Sequence, residues 1–219
     1  PFVLYAKPND NQLNACFQHD DILHEFENQS GFVFVSFDGA KRVILPENKS
    51  VYFSEEIALD INIDVKVVGI QTSNQEKNQF ENLVTNSVKE IKTGAFEKLV
   101  VSRKIDFSTE INLFKTYQKL IGTYKSAFRY LFFHPKIGIW IGATPEQLLK
   151  IESNQFETVA LAGKQLYSED IIWTSKEIQE QQFVTDFIVS NCEKLVSSIE
   201  VTKPFTVQAG KLAHIKTII

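Results

Sequence analysis

Several signals are scarce or absent in this sequence, and each absence excludes a class of protein. The 219 residues include no methionine and two cysteines, and the net charge is −4 with acidic and basic residues interspersed. Cys16 and Cys192 are solitary and far apart, so we expect neither a CxxC site nor a disulfide framework. Without a basic field, neither nucleic acid nor an anionic membrane is expected as a partner.

Long apolar runs are also missing. No run approaches the roughly 20 residues that cross a bilayer, and the N-terminal residues do not have the pattern of a targeting leader. We therefore expect a cytoplasmic protein. The first residue is Pro1 rather than methionine, from which we expect a trimmed piece of a longer protein.

The composition that remains is that of an ordinary soluble domain. The chain is 43% hydrophobic and 23% charged, which suffices for one sizeable core. Repeats, low-complexity segments and linkers are missing. We predict a single α+β domain over 1–219, with a strand-rich part at 1–72 and a part at 73–219 that carries the motifs below.

Hydrophobic periodicity predicts the secondary structure. Apolar residues recur at helical spacing in four stretches, which we predict to be helices: 11–26, 73–92, 109–124 and 175–197. Alternating or β-branched runs predict eleven strands: 2–6, 31–37, 42–45, 62–70, 96–107, 127–133, 137–141, 147–152, 156–162, 205–208 and 212–218. The turns between neighbouring strands are short, which favours antiparallel pairing.

The predicted strand 96–107, FEKLVVSRKIDF, carries two cations. Lys98 precedes its apolar run and Arg103 lies further along it. Because side chains alternate across a strand, at least one of the two is expected to point toward a semi-buried surface. The ordinary explanation is that both extend from a sheet edge into water, with their apolar stems along neighbours.

Two short motifs after this strand combine small residues with a charge. In GATPE, Pro145 should hold Thr144 extended, and Glu146 should open the next strand, where a fixed carboxyl suits proton transfer. A plain turn with a solvated Glu146 is the ordinary alternative. In LAGK, the backbone at Gly163 can offer N–H groups to an anion, and the alternative is a β-bulge or a strand end.

Two further candidates lie downstream. In KEIQEQ, Glu180 follows Lys176 by four residues, so an exposed helical ion pair is the ordinary explanation and a Mg²⁺ ligand is the sharper one. His214 lies among apolar and small residues and is either a core histidine or a site residue. The other three histidines have no metal-binding spacing: His19, His24 and His134.

In this order, the motifs KLVVSR, GATPE, LAG, KEIQEQ and AHIKT resemble the chorismate-utilising enzymes, and most closely their isochorismate synthase branch. The resemblance extends over about 97–217. It implies the anthranilate synthase component I-like fold, in which antiparallel sheets carry helices on the outside. It also implies Mg²⁺ as cofactor and chorismate, a ring dicarboxylate, as the small-molecule substrate; the oligomeric state stays open.

Two positions divide this family. Its water-adding members carry a lysine where Lys98 stands, whereas ammonia-using members typically carry glutamine. Aminodeoxychorismate synthase carries a lysine nucleophile at the position of Ala162. Lys98 with Ala162 therefore resembles the water-adding branch, in which isochorismate synthase and salicylate synthase share both features. GATPE together with TVALAG favours isochorismate synthase.

The resemblance implies a role for each candidate. Water attacks ring carbon C2 while the C4 hydroxyl leaves, so a base and an acid flank the ring. Lys98 would be the base and Glu146 the acid. Glu180 would hold Mg²⁺ against the ring carboxylate. Substrate would be bound at three further positions: Ala162, Gly163 and His214. A non-catalytic α+β domain, with Lys98 and Glu180 in surface pairs only, is the alternative of another class.

The sequence also departs from the family. Lys164 stands where the family usually has Thr or Ser, and Gln181 stands where it usually has His. Family members continue beyond the AHIKT strand with a second metal-binding glutamate and with the Arg and Tyr that hold the side-chain carboxylate. We therefore expect these residues to be a truncated piece that is inactive or feeble alone. Menaquinone and siderophore biosynthesis both remain open as the destination of the product.

Overall fold

The computed structural model describes residues 1–58, 73–106 and 108–219. These residues form three α-helices and thirteen β-strands. Every strand pairing among them is antiparallel. The described residues fall into two compact units, one from Pro1–Val65 and Asn112–Glu146, the other from Lys66–Ile111 and Gln147–Ile219. The predicted α+β class with antiparallel sheets is confirmed.

The elements of the first unit are β1 (Phe2–Ala6), β2 (Gln12–Gln18), β3 (His24–Glu25), β4 (Gly31–Val35), β5 (Arg42–Pro46), β6 (Ser50–Glu56), α2 (Leu113–Thr123), β7 (Phe128–His134) and β8 (Gly138–Thr144). Five strands form one sheet in the order β6-β2-β1-β7-β8, and three form another in the order β3-β5-β4. The hairpin predicted over 31–45 is therefore present.

The larger sheet buries a different cluster on each face. Leu131 packs with Tyr117 and Ile121 of α2. The next residue, Phe132, packs with Val3 and with β5 of the smaller sheet. Because successive side chains of a strand point to opposite faces, β7 contributes to both clusters.

The helix predicted over 11–26 is wrong. These residues form β2 and β3 instead, and β2 lies between β1 and β6 with hydrogen-bonded partners on both sides. Leu13 and Phe17 are four residues apart, a spacing that both a helix and a strand accommodate. Cross-strand pairing decided between them, since strand formation depends on neighbours more than on local preference. Strand β6 was not predicted from the sequence.

The elements of the second unit are α1 (Asn74–Thr93), β9 (Lys150–Glu152), β10 (Gln155–Glu157), β11 (Val159–Leu166), α3 (Ser175–Cys192), β12 (Phe205–Ala209) and β13 (Leu212–Ile218). A three-stranded sheet has the order β11-β13-β12, and β9 pairs with β10. Helix α3 lies against β11 and β13. Within the described residues, no helix combines the length and apolar character needed to cross a membrane.

Both ends of α1 follow from local chemistry. Ser73 and Glu76 form a reciprocal capping box, which satisfies backbone N–H groups that lack a helical partner. Gly94 ends the helix in the left-handed region with φ +80°. The helix predicted over 73–92 is therefore confirmed.

The strand predicted over 96–107 is wrong where the structure describes it. Residues 96–106 have no strand conformation, and the side chains of Leu99 and Val100 are 49% and 78% exposed. β-branched residues form a strand only when a neighbouring strand pairs with them. None of the described strands pairs with this segment. Phe107 and the strand predicted over 62–70 lie outside the described residues.

Other boundaries moved by a few residues. Helix α3 ends at Cys192 rather than at 197, and the strand predicted over 156–162 is divided between β10 and β11. The prediction of one domain over 1–219 stays a prediction.

His134 generates a prediction about pH. Its ring is fully buried, Nδ1 accepts the backbone N–H of Lys136 at 3.1 Å, and burial lowers its pKa. The unfolded chain therefore binds a proton that the folded protein resists, so stability should decrease as pH falls below the unfolded value of about 6.5. Urea unfolding from pH 7.5 to 5.5 should show a flatter decrease in His134→Gln. The exposed His19→Gln is the matched control and should retain the slope; equal slopes in all three proteins would refute this.

Candidate active site

Lys98 and Glu180 are brought together in the second unit. The Lys98 Nζ lies 3.2 Å from the Glu180 Oε1, and the two side chains are 24% and 36% exposed. Lys98 lies in the irregular segment after α1, and Glu180 lies in the second turn of α3. The helical ion pair between Lys176 and Glu180, which was the ordinary explanation of the two, is not among the ion pairs of the described residues. The carboxylate instead pairs with a lysine that is remote in sequence.

Glu177, in the first turn of α3, has a structural role. Glu177 and Thr174 form a capping box, and the Gln165 Nε2 donates to the Glu177 Oε2 at 2.7 Å. The backbone N–H of Thr174 and the amide of Gln165 hold the pKa of the Glu177 carboxyl below its usual range. Glu177 thus fixes the start of α3 to β11. Glu180, the other carboxylate of KEIQEQ, takes no part in the bonds that Glu177 makes.

Gln181 anchors α3 to the sheet. Its side chain is 1% exposed, and Nε2 lies 2.8 Å from the Thr217 Oγ1 and 2.9 Å from the Thr185 Oγ1, with the carbonyl of Ala160 at 3.4 Å. These contacts join α3 to both β11 and β13. Leaving a buried amide donor unpaired costs free energy of folding. This network therefore restrains the position of α3 relative to the sheet. Glu180, the preceding residue, is restrained with it.

Gly163 and His214 form the second contact pair. The register of β11 against β13 shifts between Ala162 and Gln165, so β11 has a bulge, and Gly163 adopts φ +69°. The bulge named as the ordinary explanation is therefore present. The Nδ1 of His214 lies 2.9 Å from the carbonyl oxygen of Gly163. Because a carbonyl only accepts, Nδ1 carries the proton, and a neutral His214 presents Nε2 as an acceptor.

Sequence reasoning missed Trp173. A Cβ built at Gly163 would lie 3.4 Å from the Trp173 ring and 3.2 Å from the Ile215 side chain. The Trp173 Nε1 donates to the Thr206 Oγ1 at 2.8 Å, which holds the ring in place. No motif marks a single tryptophan in this loop. Ala162, beside Gly163, is 8% exposed and pairs with Ile215.

Glu146 belongs to the first unit, whereas the other candidates belong to the second. Strand β8 continues to Thr144, three residues beyond the predicted end at 141, and Thr144 is extended as Pro145 predicts. The strand expected to open after Glu146 begins only at Lys150, so the placement of Glu146 at a strand tip is wrong. Its side chain is exposed in the connecting loop, and its backbone N–H donates to the Thr144 Oγ1 at 3.2 Å.

The small residue at the start of GATPE has a structural cause. A Cβ at Gly142 would lie 2.8 Å from the Tyr130 ring. The close approach that this glycine permits is therefore to a neighbouring strand, and it need not serve a ligand.

Two cavities in the second unit are lined by residues other than the candidates. One of about 410 Å³ lies beside the β9–β10 hairpin, the segment after α3 and the end of β13. One of about 250 Å³ lies between α1 and residues 102–105. In the second unit, the candidates thus form two contact pairs: Lys98 with Glu180, and Gly163 with His214.

The ligand type at Glu180 fits a magnesium ion. Mg²⁺ prefers oxygen ligands and usually takes one or two carboxylates, with water and substrate oxygens completing its octahedron. Glu180 is partly exposed and offers one such carboxylate. The described residues contain no cluster of three or more His, Cys, Asp or Glu side chains placed to hold a metal. The described residues therefore supply only part of the coordination of an ion at Glu180.

Comparison with known proteins gives consistent matches. A family model described as chorismate binding enzyme matches residues 48–219. Isochorismate synthase MenF of Haemophilus influenzae is 23% identical over an alignment of 266 positions, which covers 98% of this chain and 60% of that protein. Anthranilate synthase component 1 of Lactococcus lactis is 24% identical over 156 residues, covering 67% of this chain and 34% of that protein. The chain thus spans 60% or less of the length of these two relatives.

Solved structures agree on the fold. DhbC of Bacillus anthracis, described as a 2,3-dihydroxybenzoate-specific isochorismate synthase, matches with a TM-score of 0.72 and 18% identity over 99% of this chain and 66% of its own. MenF of Escherichia coli, described as a menaquinone-specific isochorismate synthase, matches with a TM-score of 0.61 and 12% identity, covering 100% and 64% of the two chains.

The bulge at Gly163 is testable with a matched glycine. Gly39 has nearly the same φ, +70° against +69°, but nothing lies within 4 Å of a Cβ built there. Alanine at either position should cost about 1–2 kcal/mol for the left-handed backbone, and Gly163→Ala should cost more because Ile215 and Trp173 must move. Urea unfolding of both variants measures the difference. Equal losses would show that the bulge is not crowded.

The anchoring role of Gln181 is testable against its neighbour. Gln182 is exposed, and among the described residues its Nε2 donates to the Asp186 Oδ1 on the same helix alone. Gln181→Ala should lower the free energy of unfolding by about 1–3 kcal/mol, since it leaves buried groups unpaired. Gln182→Ala should change it by less than about 0.5 kcal/mol. Similar losses of unfolding free energy in the two variants would show that Gln181 does not anchor α3.

Proposed function

This chain belongs to the family of chorismate-binding enzymes, and from that premise we propose that the protein containing it is a Mg²⁺-dependent isochorismate synthase. The reaction is an isomerisation of chorismate. A water oxygen bonds to C2, the ring double bonds shift, and the C4 hydroxyl leaves as water. The proposal concerns the whole protein, because the chain spans only part of its relatives.

The contact between Lys98 and Glu180 is the observation that supports this proposal most. The resemblance assigns the water-activating base to Lys98 and the metal ligand to Glu180, and the two groups lie 3.2 Å apart. Lys and Glu side chains are mostly exposed to solvent, so a partly exposed pair between residues that are remote in sequence is unusual. Ala162 supports the water-adding chemistry, since it leaves no amine at the position of the family's lysine nucleophile.

The proposed roles follow from the chemistry of each group. Lys98 removes a proton from the attacking water, and Glu146 gives a proton to the leaving hydroxyl. The backbone at Gly163 positions the ring carboxylate, and the Nε2 of His214 accepts a hydrogen bond beside the ring. Magnesium at Glu180 would neutralise the ring carboxylate and draw electron density from the ring. The protons taken up and released balance, so substrate and product are isomers.

The destination of the product is left open in this proposal. The similar structures include a menaquinone-specific and a 2,3-dihydroxybenzoate-specific enzyme. A non-catalytic domain also accommodates the Lys98–Glu180 pair, because an ion pair by itself has no catalytic meaning.

Isotope labelling of the product tests the reaction. The intact protein, incubated with chorismate and Mg²⁺ in ¹⁸O-water, should form isochorismate that carries one ¹⁸O, because the new C2 hydroxyl comes from solvent. Lys98→Ala should slow the reaction at least about 100-fold, the lower range for losing an acid–base group. Lys104→Ala removes an 83%-exposed lysine that pairs with Asp106, and it should leave the rate unchanged.

Other outcomes identify the alternatives. Salicylate with pyruvate would indicate salicylate synthase. No turnover by the intact protein, with Lys98→Ala and Glu146→Gln leaving ligand binding unaltered and stability within about 0.5 kcal/mol, would favour the non-catalytic domain.

A further inference from the structure

We infer that Lys98 and a divalent cation compete for the Glu180 carboxylate, so that metal binding and release of the Lys98 amine are coupled. This inference rests on the magnesium site of the proposed function. It adds that the lysine is not merely a neighbour of the metal site. Without metal, its ammonium group takes the place of the ion.

The competition follows from distances and charge. The Lys98 Nζ lies 3.2 Å from the Glu180 Oε1. An inner-sphere Mg²⁺ requires an oxygen at about 2.0–2.1 Å. An ammonium group and a divalent ion held on the same carboxylate would repel each other strongly at such separations. Each cation on the Glu180 carboxylate therefore weakens the binding of the other.

The surroundings allow the exchange to occur. Glu180 is 36% exposed, so a hydrated ion can reach it, and the Gln181 network restrains the helix that carries it. Lys98 lies in a segment without helix or strand hydrogen bonds among the described residues, so its side chain can withdraw without disrupting an element. Glu177 offers no equivalent site because its carboxylate holds the cap of α3.

Linkage makes the effect reciprocal. If Lys98 weakens metal binding by a given factor, the metal weakens the Lys98–Glu180 contact by the same factor. A partly exposed ion pair is weak, so the factor should be modest, roughly fivefold. The consequence for the proposed reaction is that Lys98 is released from Glu180 to meet the attacking water more often when the metal is bound.

Metal affinity measured without substrate tests this inference. Isothermal titration of the intact protein with Mg²⁺ alone should show roughly fivefold tighter binding in Lys98→Gln than in the unmodified protein. Lys176→Gln is the matched control, since it removes the same charge one helical turn from Glu180 without breaking an ion pair of the described residues. It should change the affinity by less than twofold. Glu180→Gln should abolish the binding.

A second readout avoids any dependence on variant folding. Acetylation of the unmodified protein by an amine-reactive reagent, followed by peptide mass spectrometry, should modify Lys98 faster with Mg²⁺ than without it. Lys104, already 83% exposed, should react at the same rate in both conditions.

Three results would overturn the inference: unchanged or weaker Mg²⁺ binding in Lys98→Gln, equal tightening in Lys176→Gln, or Mg²⁺ binding that survives in Glu180→Gln. Failure of the proposed function is distinguishable. Absence of ¹⁸O-isochorismate with tighter metal binding in Lys98→Gln would reject the reaction and keep the competition, and the converse would do the reverse.

Discussion

The position of the candidate site depends on one buried contact, the anchoring of α3 by Gln181. A carboxylate acts on a small ion or substrate only if its carrier is held to within a fraction of an ångström. The Gln181 amide contacts Thr217 and Thr185, and it connects the helix with Glu180 to the sheet that bears Ala162, Gly163 and His214. The capping box at Thr174 fixes the start of the same helix. Two independent restraints thus act within seven residues of α3.

The candidate site also depends on which lysine pairs with Glu180. Glu180 could have paired with Lys176 on its own helix, at a small gain and in full solvent. It contacts Lys98 instead, a residue from a segment with little structure of its own among the described residues. The cost of desolvating two charges is tolerated where a catalytic or binding role requires them.

Local chemistry made part of the fold predictable. Hydrophobic periodicity predicted α1 to within one residue at each end, and β13 was predicted at its observed bounds. Features that depend on partners remote in sequence were not predictable. Residues 11–26 became strands because β1 and β6 pair with β2. Residues 96–106 did not become a strand, because β propensity alone supplies no partner.

The candidate site divides in the same way. The bulge at Gly163 was one of two alternatives because a glycine after an apolar strand limits the options. The Lys98–Glu180 contact was not foreseen from spacing, which favours the i,i+4 partner. Trp173 has no motif at all, and its place beside Gly163 follows from the path of the loop before α3.

A structure of the intact protein with Mg²⁺ and chorismate tests the central claim most directly. The account predicts a Glu180 oxygen about 2.1 Å from the metal and the Lys98 amine withdrawn from Glu180 toward ring carbon C2. Chorismate bound elsewhere, with Lys98 and Glu180 still paired and remote from the ring, would contradict it.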